Sequence, residues 1–309
     1  MAFSEAGYNI LVNVLRLSGR ILLVLLLAAC SPQRTVLIPA APTSSPAPAL
    51  PAASQPAPAC AKIGESRVSP RDGMLQLCVP AGEFLMGSND RDTQAQPDER
   101  PQHTISLDAF WIDQTEVTNA MYSACVQAKA CHERTYSPYV WGVDSRTRKN
   151  YFTDPQFRDY PVILLDADEA QAYCRWAGRH LPSEAQWEKA ARGTDGRTYP
   201  WGEGIDCRRA NYSGCARDTS AVSAHPDGAS PYGALDQAGN LWEWTADWYE
   251  PGYYAQSPAR NPTGPAQGKY RTLRGGSWGE FAPSLRAANR ASGAPQHSMD
   301  GAVGFRCAE

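Results

Sequence analysis

The chain has 309 residues, a formal net charge of −3 and a charged fraction of only 20%. That balance gives no electrostatic case for nucleic acid or an acidic polymer as a partner. Nine tryptophans and fourteen tyrosines, with few long aliphatic runs after residue 30, predict a loop-rich fold around an aromatic core.

The first 29 residues read as a targeting segment. Arg16 and Arg20 supply a basic region, Ile21 to Ala29 an apolar run, and Leu27-Ala28-Ala29-Cys30 a small-residue cleavage site. The apolar run is too short to span a bilayer as a helix. The tetrapeptide resembles the bacterial lipobox, which implies cleavage before Cys30 and lipid on its sulfur and on the new N-terminus. Several acyl chains together anchor a protein stably where one is marginal. Ser31, rather than aspartate, follows the cysteine, which resembles the outer-membrane sorting pattern and implies a lipoprotein facing the periplasm. Residues 31–59 are rich in proline and alanine, a composition that buries no core and favours extended polyproline II. At ~3.1 Å per residue this tether reaches on the order of 90 Å.

Beyond Cys30 eight cysteines remain: Cys60, Cys78, Cys125, Cys131, Cys174, Cys207, Cys215 and Cys307. An even set in an exported chain reads as a disulfide framework with on the order of a hundred possible connectivities. Local spacing favours Cys125–Cys131 and Cys207–Cys215, which leaves Cys60–Cys78 and Cys174–Cys307. A zinc site is disfavoured, because no C-x-x-C pair occurs and His132 lacks a partner at ligand spacing.

In chain order, Met74 to Gly87 predicts two short strands joined at Pro80-Ala81-Gly82. HTISLDAF (103–110) alternates, with Ile105, Leu107 and Ala109 facing one way. Helices are predicted over about 118–128 and 168–178. A third starts at Ser183, with Gln186 completing a capping box, and ends at Arg192-Gly193. Pro182 separates the last two. Residues 194–232 have no period. GALDQAGNLWEWTADWY, the stretch Arg271–Arg290 and a last strand, GAVGFRCAE, complete the chain. Paired glycines in Arg274-Gly275-Gly276-Ser277-Trp278 allow a tight turn, and the flanking arginines are natural partners for buried carboxylates. Without a second linker, residues 60–309 read as a single α+β domain.

Seven stretches now occur in order: FLMGS, RPQHTISLDAFWIDQTEVTNAMY, AYCRWAGRHLPSEAQWEKAARG, YPWG, GNLWEWTADWY, RTLRGGSW and GFRCA. Together they resemble the formylglycine-generating enzyme, or sulfatase-modifying factor, family over nearly all of residues 78–309. The resemblance implies a variant of the C-type lectin-like fold with little regular secondary structure and a bridge between Cys174 and Cys307. It also implies calcium held by the side chains of Asp236 and Glu243 and the carbonyls of Gly239 and Leu241, a mixture of oxygens that hard cations favour. The plainer alternative is that Glu243 pairs with an arginine such as Arg274 or Arg290. A second family calcium site corresponds to Asn211 and Tyr212, with its other half around Asp218.

One departure stands out. The oxygen-dependent enzymes of the family hold Cu(I) between two cysteines shortly after the RGGS-type motif, and soft Cu(I) requires thiolates. Here no cysteine lies between Cys215 and Cys307, so copper is not expected. Glu280 falls near the position of the first missing cysteine and becomes the candidate catalytic base. Ser277, Trp278, Arg286, Asn289 and Arg290 are expected to line the same pocket. His103 and His180 read as structural histidines. The iron-dependent branch of the family takes its ligands from an additional helical domain, for which this sequence is expected to have no room, and no H-x-x-x-H occurs in it. A periplasmic member acts in siderophore maturation, so loss of the cysteines leaves activity open. The expectation is an envelope-anchored maturation or modification factor for an exported protein or metabolite. The alternative is a non-catalytic, C-type-lectin-like binding module.

Overall fold

A computed structural model describes residues 60–133, 145–296 and 301–309. The signal segment, Cys30 and the tether lie outside the described residues. Three small sheets carry the domain. The first has the antiparallel order β1 (Ser66–Val68), β2 (Leu75–Val79) and β5 (Phe110–Asp113). The second pairs β3 (Gly82–Met86) with β4 (His103–Leu107). The third has the order β8 (Arg290–Gly293), β7 (Arg271–Arg274), β6 (Trp242–Trp248) and β9 (Val303–Gly304), with β6 and β9 parallel. The fold is the α+β, sheet-rich, disulfide-held variant of the C-type lectin-like fold.

All three predicted helices form, and their caps explain where. In α1 (Asn119–Gln127) the Thr118 side chain accepts the amide of Met121. In α2 (Ala167–Trp176) Asp166 and Glu169 make a reciprocal capping box. In α3 (Glu184–Arg192) Ser183 and Gln186 do the same, and Gly193 closes the helix at φ 71°. The expected strands β2 and β3 also form, but β3 turns away to pair with β4. The alternation in HTISLDAF stops at Leu107, because Asp108-Ala109 is a turn into β5, whose four residues are all buried.

The last strand is shorter than expected. Only Val303–Gly304 pairs with β6; beyond it the chain leaves the sheet and bonds to β5 and its flanks. Val117 donates to Phe305 O, Asp113 to Cys307 O, and Trp111 and Glu309 exchange backbone bonds. Two strands, β1 and β8, have no signal in composition. β8 reads Arg-Ala-Ser-Gly, and its pairing with β7 rather than propensity makes it a strand.

The four disulfides are Cys60–Cys78, Cys125–Cys131, Cys174–Cys307 and Cys207–Cys215. The third ties α2 to the C-terminus across 133 positions. Closing a loop of that length stabilises by about 5 kcal/mol in the chain-entropy account. It lies in the main core with Tyr173, Trp244, Phe305 and Leu181.

Candidate functional site

The arginine-rich stretch is held from below. β7 ends at Arg274, and Gly275 and Gly276 follow at φ 97° and 74°. A Cβ on Gly276 would lie 2.9 Å from both Leu285 Cδ1 and the Ser284 carbonyl, so the turn requires glycine. Fully buried Arg274 donates to Glu188 Oε2 at 2.6 Å and to the carbonyls of Ala287, Ala288 and Asn289. Arg286 makes a bidentate pair with Glu99 at 2.8 and 2.6 Å and reaches Asp92. Arg290 makes one with Glu184 at 2.7 and 3.0 Å and stacks on Tyr254. Arg290 and Arg274 hold the Glu184 carboxyl below its ordinary range although burial opposes them. These arginines therefore weld β7 and β8 to α3 and to the 88–102 loop.

The tip of the same stretch is different. Trp278 is fixed by Nε1–H to the Gly301 carbonyl at 3.1 Å and by its amide to Asn240 O at 3.0 Å. It packs on Tyr151, Phe157 and Leu241. Buried Ser277 accepts a 3.4 Å bond from the Gly279 amide. The half-buried Glu280 side chain makes no hydrogen bond or ion pair with the described residues, and Phe281 is 73% exposed. Asn289 donates to Ser284 O. Across the tip, the Arg146 guanidinium lies 5.3 Å from the centre of the Trp278 ring.

The expected pocket divides here. Arg286 lines a polar cleft of about 540 Å³ between the 88–102 loop and residues 196–204. Ser277, Trp278, Glu280, Asn289 and Arg290 do not line it, and Arg290 lies inward against α3. His103 and His180 are each held by a main-chain carbonyl, at 2.9 and 2.8 Å.

Behind the tip lies the DQAGNLWE turn. Asp236, at φ 59°, accepts the Ser223 amide at 2.9 Å. Glu243 is paired, but with neither arginine expected from the sequence. Arg306 of the GFRC stretch takes it at 2.7 Å through both oxygens, and Trp187 Nε1–H adds a 2.8 Å bond. Gly239 is obligatory, since a Cβ there would come within 2.3 Å of the Asn211 carbonyl. Asn240 accepts from Asn211 and Ser220 and donates to Glu116 Oε1 at 3.0 Å. The other oxygen of Glu116 is buried without a hydrogen-bond partner among the described residues. Burial, then Asp236 and Glu243, drives the Glu116 carboxyl well above its usual range, and burial raises Asp236 too. Three carboxylates thus face one guanidinium, Arg306. Among the described residues no group of three or more His, Cys, Asp or Glu side chains is placed to hold a metal ion by itself.

Around Asn211 the side chains are committed elsewhere. Asn211 Nδ2 donates to the Asp218 carbonyl and its Oδ1 accepts from Ala216, while Tyr212 packs beside Tyr199. Asp218 Oδ2 accepts from Ser145 Oγ, Thr147 N and Thr147 Oγ1 at 2.7–2.9 Å, and Arg148 lies 3.2 Å from Oδ1. Burial opposes ionisation of Asp218, but the bonds from Thr147 and Ser145 win and hold its carboxyl below the ordinary value. Sequence reasoning missed Glu116, Arg146 and Arg306. Arg306 had a usable signal, being a lone charge inside the buried-looking GFRCA.

Residues 62–309 match the sulfatase-modifying factor enzyme 1-like domain. The chain belongs to the sulfatase-modifying factor family. It is 36% identical to the formylglycine-generating enzyme of Streptomyces coelicolor, over 77% of this chain and 90% of that enzyme. It is also 36% identical to the serine/threonine-protein kinase pkn1 of Chlamydia caviae, over 75% of this chain but only 37% of the kinase's length. The structure of PvdO from Pseudomonas aeruginosa superposes with a TM-score of 0.68 and 26% identity, covering 81% of this chain and 99% of PvdO. Every cysteine from Cys60 onward is in a disulfide.

Proposed function

We propose that this sulfatase-modifying-factor domain is lipid-anchored through Cys30 in the bacterial envelope. There it matures or modifies an exported protein or metabolite by chemistry that does not use a copper dithiolate. The observation that carries the reading is the combination at RGGSW. The arginine-welded frame and glycine turn are intact, while the segment between Ser277 and Arg290 contains no thiol. Soft Cu(I) has no ligand pair there. Four disulfides suit an oxidising, exported location, as do the basic and apolar N-terminal regions.

Glu280 is the candidate base at the bare tip, with Ser277 and Trp278 beside it. The test compares exported proteins and metabolites by mass spectrometry in cells with the chain, without it, and complemented. A mass change that appears only with the chain is expected. If no exported molecule differs in mass while the anchored protein is present, the modification reading is wrong. Incubation with Cu(I), oxygen and a C-x-P-x-R peptide is expected to yield no aldehyde.

Calcium belongs to the same reading as a structural ion. Asp236 and Glu243, with the carbonyls of Gly239 and Leu241, would hold it. The excess of buried carboxylate and the unpartnered Glu116 oxygen fit a hard cation at this turn. At the second position the fit is poor, because Arg148 already supplies positive charge to Asp218. A second functional reading, a non-catalytic binding module, is favoured by the exposed Phe281 beside an unpaired carboxylate. Capture of a ligand without any change in its mass would select it.

A further inference from the structure

The turn that carries Arg146 has no role in the frame described so far, yet it is fastened with unusual completeness. Ser145 and Thr147 both donate their hydroxyls to Asp218, Thr147 adds its amide, and the Arg148 amide closes on Ser145 Oγ at 3.1 Å. Arg148 is itself committed, to Asp218 and to Thr219 Oγ1, with its plane over Tyr160. Between these anchored neighbours, the Arg146 side chain is exposed and makes no hydrogen bond or ion pair with the described residues. Among the described residues it lies over the face of Trp278. Trp278 is immobilised by its own two hydrogen bonds and its aromatic bed.

The chemistry of that pair is specific. A guanidinium stacked on an indole is covered on one face, so its donors point outward in the plane of the group. A planar carboxylate meets that edge through two parallel hydrogen bonds. Trp278 and the backbone that carries Arg146 are held before any ligand arrives, which lowers the ordering cost of binding. Charge narrows the choice of anion. Glu280 stands two positions from Trp278 on the same tip and is not paired with Arg146, so a dianionic phosphate meets one cation and one repelling carboxylate.

We propose that Arg146, which lies over the face of Trp278, is the receptor for a carboxylate group of this protein's ligand, positioned by Asp218 through the Ser145–Thr147 turn. The proposal rests on the reading that the Ser277–Glu280 tip faces the ligand. It adds the ligand's class: a peptide with an acidic side chain or free C-terminus, or a carboxylate-bearing metabolite.

The test is site-resolved modification of the full chain, in detergent, by phenylglyoxal, followed by peptide mass mapping. Succinate is expected to slow modification of Arg146 saturably, roughly tenfold at nine-tenths occupancy, while succinamide gives no protection and inorganic phosphate protects less. In Asp218→Asn, which loses the anchor but keeps the arginine, protection by succinate is expected to fall to less than half, with near-ultraviolet circular dichroism unchanged. Absence of protection by succinate overturns the receptor, and undiminished protection in Asp218→Asn overturns the positioning role. Stronger protection by phosphate overturns the carboxylate assignment. None of these readouts depends on a mass change in exported molecules. A protected Arg146 without such a change removes the modification reading alone and leaves the receptor standing.

Discussion

Between Arg271 and Arg290 the arginine side chains and the loop tip meet their surroundings in opposite ways. Arg274, Arg286 and Arg290 are buried, each matched to a glutamate on α3 or the 88–102 loop. From Ser277 to Phe281 the chain offers a carboxylate without a partner among the described residues, an exposed phenyl ring and an indole that Arg146 lies over. The difference teaches where this fold keeps its stability and where it is free to change. Buried ion pairs cannot lose one member cheaply, whereas the tip, with no ion pair to the described residues, can change without disturbing the frame.

The largest expected effect tests the frame through pH. Among the described residues no arginine is bound directly to Asp247; it accepts the Glu184 amide at 2.8 Å, and burial pushes its carboxyl up to about 8. A carboxyl whose folded value lies above its unfolded one binds more protons when folded. Stability from this group therefore falls as pH rises from about 4 to about 8. Across such a window the contribution is on the order of 5 kcal/mol. Glu184, lowered by its arginines, works in the opposite sense only below its ordinary value. Urea unfolding at a series of pH values is expected to show this slope, to which the raised carboxyls of Glu116 and Asp236 add in the same sense, and to lose the share of Asp247 in Asp247→Asn. An unchanged slope would show that Asp247 is not the group responsible.

Next in size is Arg274→Met, which leaves Glu188 buried with Arg192 as the one remaining cation paired with it among the described residues. Breaking a buried pair from one side costs about 3–5 kcal/mol. The loss in Arg274→Met with Glu188→Gln is expected to be smaller than the sum of the two single losses, as for residues in one network. A single-mutant loss below about 1 kcal/mol, the range of exposed pairs, contradicts the welded frame.

Much of this division was legible in the sequence, and the remainder has physical reasons. The capping box at Ser183 placed α3, because a cap is a local bond between residues three apart, and the spans expected for α1 and α2 lie within a residue or two of those observed. The need of buried arginines for carboxylates was also readable. Their partners were not, since Arg290–Glu184 and Arg306–Glu243 join positions 106 and 63 apart. For the same reason the pairing of Glu243 with an arginine was readable as an alternative, but not that the arginine is Arg306. β8 escaped because Arg-Ala-Ser-Gly has no strand signature. Arg146 escaped because its role depends on Asp218, 72 positions away.

Two predictions of intermediate size concern the joint between frame and tip. Calcium at the Asp236 turn, present at about 100 times its dissociation constant, would add about 2.7 kcal/mol. Removal by a chelator is then expected to lower the melting temperature by roughly 5–10 °C. Elemental analysis finding no calcium, with melting unchanged by chelation, sinks that site. Gly276→Ala forces a side chain into φ 74° and against Leu285 and Ser284. It is expected to cost about 1–3 kcal/mol in urea unfolding. A neutral result means that the turn relaxes, and the tip is then less firmly tied to β7 than its contacts imply.

The smallest expected effect on stability is the sharpest test of the tip. Glu280→Ala removes no hydrogen bond or ion pair with the described residues and buries nothing new, so its stability is expected to stay within about 0.5 kcal/mol of the parent. If Glu280 is the base, the mass change on the exported molecule disappears although the melting temperature does not move. Loss of the mass change together with a lowered melting temperature would place Glu280 in the frame, contrary to its unpaired state. A retained mass change with an intact fold removes Glu280 from the chemistry. The tip's contribution would then be recognition through Arg146 and Trp278, which the protection experiment measures separately.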